Sequence, residues 1–159
     1  MDSKIIFYVI LLIIVTSCRK ESSYSTTNYM CNTSSTFIKL TFYKNGVKQN
    51  YLMIDSIKAN ECKTVLHANG FGKSDGPNYV NNIISKDSVI IEFNNTVQAI
   101  HYGYFITTVP NPKAILFNNT RNILNGVNWK YKIISETKYF KETELKFTFE
   151  EQDYLDANQ

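Results

Sequence analysis

Apolar and polar positions alternate every second residue through much of this 159-residue chain, and that spacing predicts strands. The clearest stretch sets Ile38, Leu40 and Phe42 on one face and Lys39, Thr41 and Tyr43 on the other, just before Lys44-Asn45-Gly46-Val47. Asn-Gly suits the positive φ angles of a type I′ turn. A hairpin is therefore expected, with Phe42 opposite Gln49, Leu40 opposite Tyr51 and Ile38 opposite Met53. Residues 62–67 and 87–93 predict two further strands. Residues 94–97 read as a four-residue turn that sets Ile91 against Ile100 and Val89 against Tyr102. Residues 104–109 extend that second hairpin until Pro110 and Pro112 interrupt pairing. Residues 114–117, 129–134 and 145–149 complete the set, the last two alternating as Trp129, Tyr131, Ile133 and Leu145, Phe147, Phe149. About eight short strands without an amphipathic helix argue an all-β fold, an antiparallel β-sandwich of about 7–8 strands, immunoglobulin-like or transthyretin-like. Residues 150–159 read as a terminal extension or a single helical turn.

The start of the chain breaks this alternation. Lys4 precedes an unbroken apolar run from Ile5 to Val15, which stops at Thr16-Ser17-Cys18. A helix rises about 1.5 Å per residue, so the run covers only about half of a hydrocarbon core about 30 Å thick. It predicts a cleaved export signal and not a permanent span. Val15-Thr16-Ser17-Cys18 resembles the lipobox of bacterial lipoproteins, usually Leu, then Ala or Ser, then Gly or Ala, then Cys. This chain departs from the common form with Val for Leu, Thr in the middle and Ser beside the cysteine. The resemblance implies that the Cys18 thiol receives a diacylglycerol, that the signal is removed before it, and that the new terminus is acylated. The membrane is then a partner through lipidated Cys18, held without being crossed. Arg19 stands where Asp favours inner-membrane retention in such proteins, so the resemblance implies the outer membrane of a cell envelope. The expected organisation is a signal at 1–17, a lipidated terminus and tether at 18–30, where Ser, Thr, Tyr and Asn follow no apolar period, and a single domain at 31–159.

Composition narrows the function classes. Hydrophobic residues at 43% against 19% charged describe a globular chain and not a disordered one. A net charge of +3, with lysines scattered along strands and loops, lacks the basic cluster a nucleic-acid partner requires. Once Cys18 is lipidated, Cys31 and Cys62 remain as an even pair in an oxidising compartment. They either form a disulfide or stay as two buried thiols, and the sequence leaves this open because bonding depends on Cα separation.

Candidate chemistry is sparse. Gly72-Lys73-Ser74 resembles the end of a phosphate loop, but His67 stands where the first glycine belongs and Asp75-Gly76-Pro77 forbids the helix that must follow. No nucleotide is expected. Residues 68–86 form the longest stretch without strand signals, and Phe71 and Tyr79 within it are the candidate binding-loop residues, able to stack on a sugar or a partner. His67 and His101 read as strand residues with satisfied rings. Glu150, Glu151, Asp153 and Asp156 read as a solvated acidic end. No catalytic residue, metal site or cofactor is expected. The Asn-x-Ser/Thr triplets at Asn32, Asn94 and Asn118 read as chance, and the abundant asparagine as background composition. These features point to a lipid-anchored, non-enzymatic envelope module that binds a protein or a glycan. The alternatives are a polysaccharide-processing enzyme or accessory, and an envelope inhibitor or immunity protein.

Overall fold

Two sets of inward-facing apolar residues meet in one core. Met30, Leu145, Phe147 and Phe149 come from one sheet, and Ile38, Leu40, Phe42, Val89, Ile91 and Phe93 from the other, none more than 3% exposed. The computed structural model describes residues 22–72, 83, 85–106 and 114–159. The predicted signal, Cys18 and Tyr79 lie outside the described residues.

The described strands are β1 (Ser23–Asn32), β2 (Ile38–Lys44), β3 (Val47–Lys48), β4 (Ile54–Ile57), β5 (Glu61–Phe71), β6 (Ser88–Phe93), β7 (Val97–Tyr102), β8 (Ala114–Ile115), β9 (Lys130–Glu136) and β10 (Phe140–Phe149), followed by one helix, α1 (Glu151–Asn158). The first sheet runs β5-β1-β10-β9; the second runs β3-β2-β6-β7-β8, with β4 also pairing β2. The all-β architecture expected from the alternation is therefore present.

Several details differ from the sequence reading. Ser23–Asn32 is no tether. It lies inside the first sheet between β5 and β10, and its inward residues Thr26, Asn28 and Asn32 are buried although polar, so no apolar period announces the strand. Pairing is not purely antiparallel, because β1 runs parallel to β10 and β7 parallel to β8. The first turn forms as expected, with Asn45 at φ 51° and Gly46 at φ 71°. Beyond the Gln49 N–H bond to Phe42 O at 2.8 Å, however, a 3-10 turn at Asn50–Leu52 takes the chain out of the ladder. Leu40 then faces Ile54 and Ile38 faces Ile57.

The second hairpin slips by one residue from the expected register. Asn94 and Asn95 both adopt positive φ, 51° and 58°, and close a three-residue turn with Phe93 opposite Val97. Ile91 therefore meets Ala99, and Val89 meets His101. A slip of one exchanges the two faces of a strand. His101 goes into the core at 2% exposure, while Ile100 and Tyr102 are only half-buried. β7 ends at Tyr102, and the expected extension starts instead with a turn closed by the Ile106 N–H bond to Gly103 O at 3.1 Å. Trp129 is buried beside the start of β9, yet Tyr131 and Ile133 are 43% and 44% exposed on this strand at the edge of the first sheet. The acidic end is a full helix.

Candidate functional site

The loop between β8 and β9 is built on asparagines three residues apart. Asn119, Asn122 and Asn125 each accept, at the side-chain oxygen, the N–H two residues on: Arg121 at 2.7 Å, Leu124 at 2.8 Å and Val127 at 3.2 Å. Backbone bonds keep the same period, from Asn119, Asn122, Asn125 and Asn128 back to the carbonyls of Leu116, Asn119, Asn122 and Asn125. Asparagine suits this role because its short amide mimics a backbone turn. Its NH2 groups then tie the turns to their surroundings: Asn122 to Tyr102 O at 2.9 Å and Ile115 O at 3.0 Å, Asn125 to Phe117 O at 3.0 Å, and Asn128 to Asn122 O at 2.8 Å. On the inner side Ile123, Leu124 and Trp129 plug the core, with the indole N–H on Ile123 O at 2.9 Å. Asparagine here is a framework and not background composition.

Phe117 on this fastened loop meets the turn that follows β7. Tyr104 packs edge-on against Phe117 at 5.4 Å and against Phe105 at 5.5 Å. Tyr104 is 68% exposed and Phe105 89%. These three rings with Ile106, Leu116 and Asn118 line a hollow of about 520 Å³. A second hollow of about 330 Å³ adjoins it, where Tyr104 and Phe105 meet Lys44, Asn45 and Asp87. Gly103 permits this approach, since a Cβ there would lie 2.4 Å from Lys86 O. Its N–H donates to Asp87 O at 2.8 Å, and the Asp87 carboxylate accepts from Asn45 N–H, which joins the hairpin tip to the aromatic turn. The result is an apolar surface rimmed by amides, the Asp87 carboxylate and the lysines Lys44 and Lys86.

The titratable groups behind this surface are structural. His101 Nδ1 accepts from Ile123 N–H at 3.1 Å, and burial, aided by the charge on Arg121, lowers its pKa to about 3. It is a neutral acceptor. Arg121 binds the carboxylate of Asp153 through two nitrogens, and those bonds raise its own pKa. Asp153, expected in a solvated acidic end, is 6% exposed and committed to that arginine. His67 lies on β5 with Nδ1 at 2.8 Å from Thr27 Oγ1. Among the described residues no group of three or more His, Cys, Asp or Glu side chains could hold a metal ion.

Of the other residues singled out by sequence, Phe71 closes β5 and is 82% exposed, but it lines neither aromatic hollow. Residues 68–71, expected in a loop, belong to that strand. Cys31 and Cys62 are directly opposite across β1 and β5, Cα atoms 4.0 Å apart, and are joined by a disulfide. Sequence reasoning missed Tyr104, Phe105 and Phe117 by assigning them to strands. The available signal was the three-residue asparagine spacing beside an aromatic pair that follows Gly103.

A cleft of about 320 Å³ opens between β5 and β4. Met30, Phe42 and Ile83 form its buried floor, and Leu52, Ile54 and Leu66 its half-buried walls. Tyr51, 73% exposed, stands at its lip. Lys86 reaches this tyrosine from beneath, Nζ donating to the hydroxyl at 3.2 Å and lying 5.6 Å from the ring centroid. Lys86 is 4% exposed and forms no ion pair among the described residues.

Comparison of this chain with protein-family models, curated proteins and solved structures found no match.

Proposed function

We propose that this chain is a lipid-anchored, non-enzymatic binding module of the cell envelope, held through Cys18 at the outer membrane, and that it engages a protein or a glycan. The observation that carries this reading is the aromatic surface where Tyr104 and Phe105, in the turn after β7, meet Phe117 on the loop locked by asparagine turns. Exposed aromatics on a rigid scaffold bind with little further loss of conformational freedom, and they suit the apolar face of a sugar or a partner's side chains. The disulfide between Cys31 and Cys62 supports an oxidising compartment, as the apolar leader supports export. No helix of the described residues is long and apolar enough to cross a membrane. For the fold itself we infer an immunoglobulin-like or transthyretin-like sandwich, on the strength of two sheets sharing one core.

Two measurements test the proposal. Metabolic labelling with a fatty-acid analogue is expected to mark the wild type and not Cys18→Ala; equal labelling of both removes the anchor. Tyr104→Ala with Phe105→Ala is expected to keep the wild-type unfolding midpoint, since both rings are exposed, and to lose at least ten-fold in retention of envelope glycan or protein. Unchanged retention by that variant removes the aromatic surface from the reading.

A further inference from the structure

The end of the first sheet at which β1 starts carries exposed rings of its own, apart from the aromatic surface of Tyr104 and Phe105. We propose that this end seats on the surface of the lipid bilayer, with Phe71, Tyr139 and Phe140 at headgroup level and Lys138 on anionic headgroups. The inference rests on the anchor at Cys18 and adds to it the orientation of the domain.

Strand register gathers the rings. Ser23 opens β1 opposite both Phe71 on β5 and Phe140 on β10, so a small polar residue stands between two phenyl groups in one row of the sheet. Phe71 is 82% exposed, Tyr139 38% and Phe140 37%. Backbone bonds fasten both ring-bearing segments to the start of β1: Ser23 N–H donates to Tyr139 O at 2.7 Å, and Gly72 N–H to Ser22 O at 2.6 Å. Phe140 N–H donates to Thr137 Oγ1 at 3.0 Å and Thr137 N–H to Phe140 O at 2.7 Å, which closes the turn between β9 and β10. In that turn Lys138 is exposed, its Nζ 5.3 Å from the Tyr139 ring centroid. Lys141 is paired with Glu136 at 3.6 Å, so those two charges offset each other.

Chain length supplies the occupant. Only residues 19–22 stand between Cys18 and β1, and even fully extended that stretch reaches at most about 18 Å. Once Cys18 carries its lipid, this end of the sheet is held within that distance of the bilayer, whereas Asn32, at the other end of β1, lies about 30 Å away along the strand. Tethering raises the effective concentration of bilayer at these rings, so an interfacial preference too weak to recruit a free protein is sufficient. Rings beside a lysine suit that layer, the aromatic bodies between acyl chains and headgroups and the ammonium on lipid phosphate. A soluble glycan or protein has no such tie to this end of the chain.

The experiment reconstitutes the mature protein in vesicles of phosphatidylethanolamine and phosphatidylglycerol whose acyl chains carry bromine, which quenches tryptophan emission at short range. Flotation on a density gradient shows attachment, and the buried Trp129 gives a constant background. Phe71→Trp is expected to be quenched at least about three-fold more than Val127→Trp, an exposed position just before the end of β9 remote from the Lys138 turn. Lys138→Glu added to Phe71→Trp is expected to lower that quenching at least about two-fold. All three side chains are exposed, so each variant is expected to keep the wild-type unfolding midpoint. Equal quenching at the two tryptophan positions, or quenching unchanged by Lys138→Glu, overturns the bilayer contact and leaves the anchor standing. Protein that fails to float with the vesicles overturns the anchor and this proposal together.

Discussion

Arg121 holds the buried carboxylate of Asp153, Nε donating to Oδ1 at 2.9 Å and a terminal nitrogen to Oδ2. The same nitrogen donates to Thr148 O at 3.1 Å, and Asp153 Oδ2 also accepts the Glu150 N–H at 2.7 Å. One guanidinium thus ties the asparagine loop to β10 and to the first turn of α1. Removing one member of a fully buried pair costs about 3–5 kcal/mol, because the other charge is left unpaired. The Arg121 side chain is 31% exposed, so water screens part of that loss. Arg121→Met is therefore expected to destabilise the fold by about 2–3 kcal/mol, and adding Asp153→Asn to recover part of it. Urea unfolding of the three proteins measures both effects; a wild-type midpoint for Arg121→Met refutes the assignment.

The asparagine framework makes a contrast between two neighbouring residues of one type. Asn122 is fully buried, donates to two carbonyls and accepts one N–H, whereas Asn118 is exposed. Asn122→Ala leaves Tyr102 O, Ile115 O and Leu124 N–H without that partner, a loss of about 2–4 kcal/mol. Asn118→Ala is expected to stay within about 0.5 kcal/mol of wild type. Thermal unfolding of the two variants side by side checks the pair, and similar midpoints would contradict the framework.

What the sequence made legible follows from where apolar alternation and turn chemistry agree. Asn45-Gly46 placed its turn correctly, and Leu145, Phe147 and Phe149 face the core as their spacing requires. The alternation in residues 87–93 found β6, but counting residues across 94–97 could not reveal that Asn94 and Asn95 both adopt positive φ, and the slip of one hid the burial of His101. β1 was invisible because its burial comes from position between two strands and not from composition: Thr26 satisfies its hydroxyl on Thr143 at 2.9 Å, and Asn32 donates to Thr36 O and Ile57 O. The candidate surface was illegible for a related reason. Tyr104 and Phe105 are exposed, so no core pattern marks them, and the loop that brings Phe117 to them is periodic in a polar residue. Lys86 and Tyr51 are far apart in sequence, and their contact exists only once β2 and β6 have paired.

His101 gives the fold a defined response to acid. Its pKa lies near 3 in the folded chain against the ordinary 6.5, so between those values the unfolded chain carries a proton that the folded one does not. Folding stability from this residue is fully present above pH 6.5 and falls as pH drops through the window, by about 1.4 kcal/mol per unit. His101→Leu loses the acceptor for Ile123 N–H at every pH, but it also removes this slope. Urea midpoints at pH 7.5, 5.5 and 4.5 are expected to converge between wild type and variant as pH falls. Parallel curves would mean that the imidazole is protonated in the folded state.

Asn28 is the polar residue that the core leaves unanswered. It sits on the inner face of β1, opposite Leu66 on β5 and Leu145 on β10, fully buried, and neither atom of its amide finds a hydrogen-bond partner among the described residues. The β1–β5 register also shifts between Asn28 and Tyr29, so the amide lies where the ladder is already irregular. An unmet buried amide costs about 1–3 kcal/mol. Valine has a similar volume, no polar atoms and a branched side chain that suits a strand. Asn28→Val is therefore expected to raise stability by about 1–2 kcal/mol, against the usual direction of a core substitution. Denaturant unfolding measures the change, and a lower midpoint would mean that the amide meets a hydrogen-bonding partner in solution.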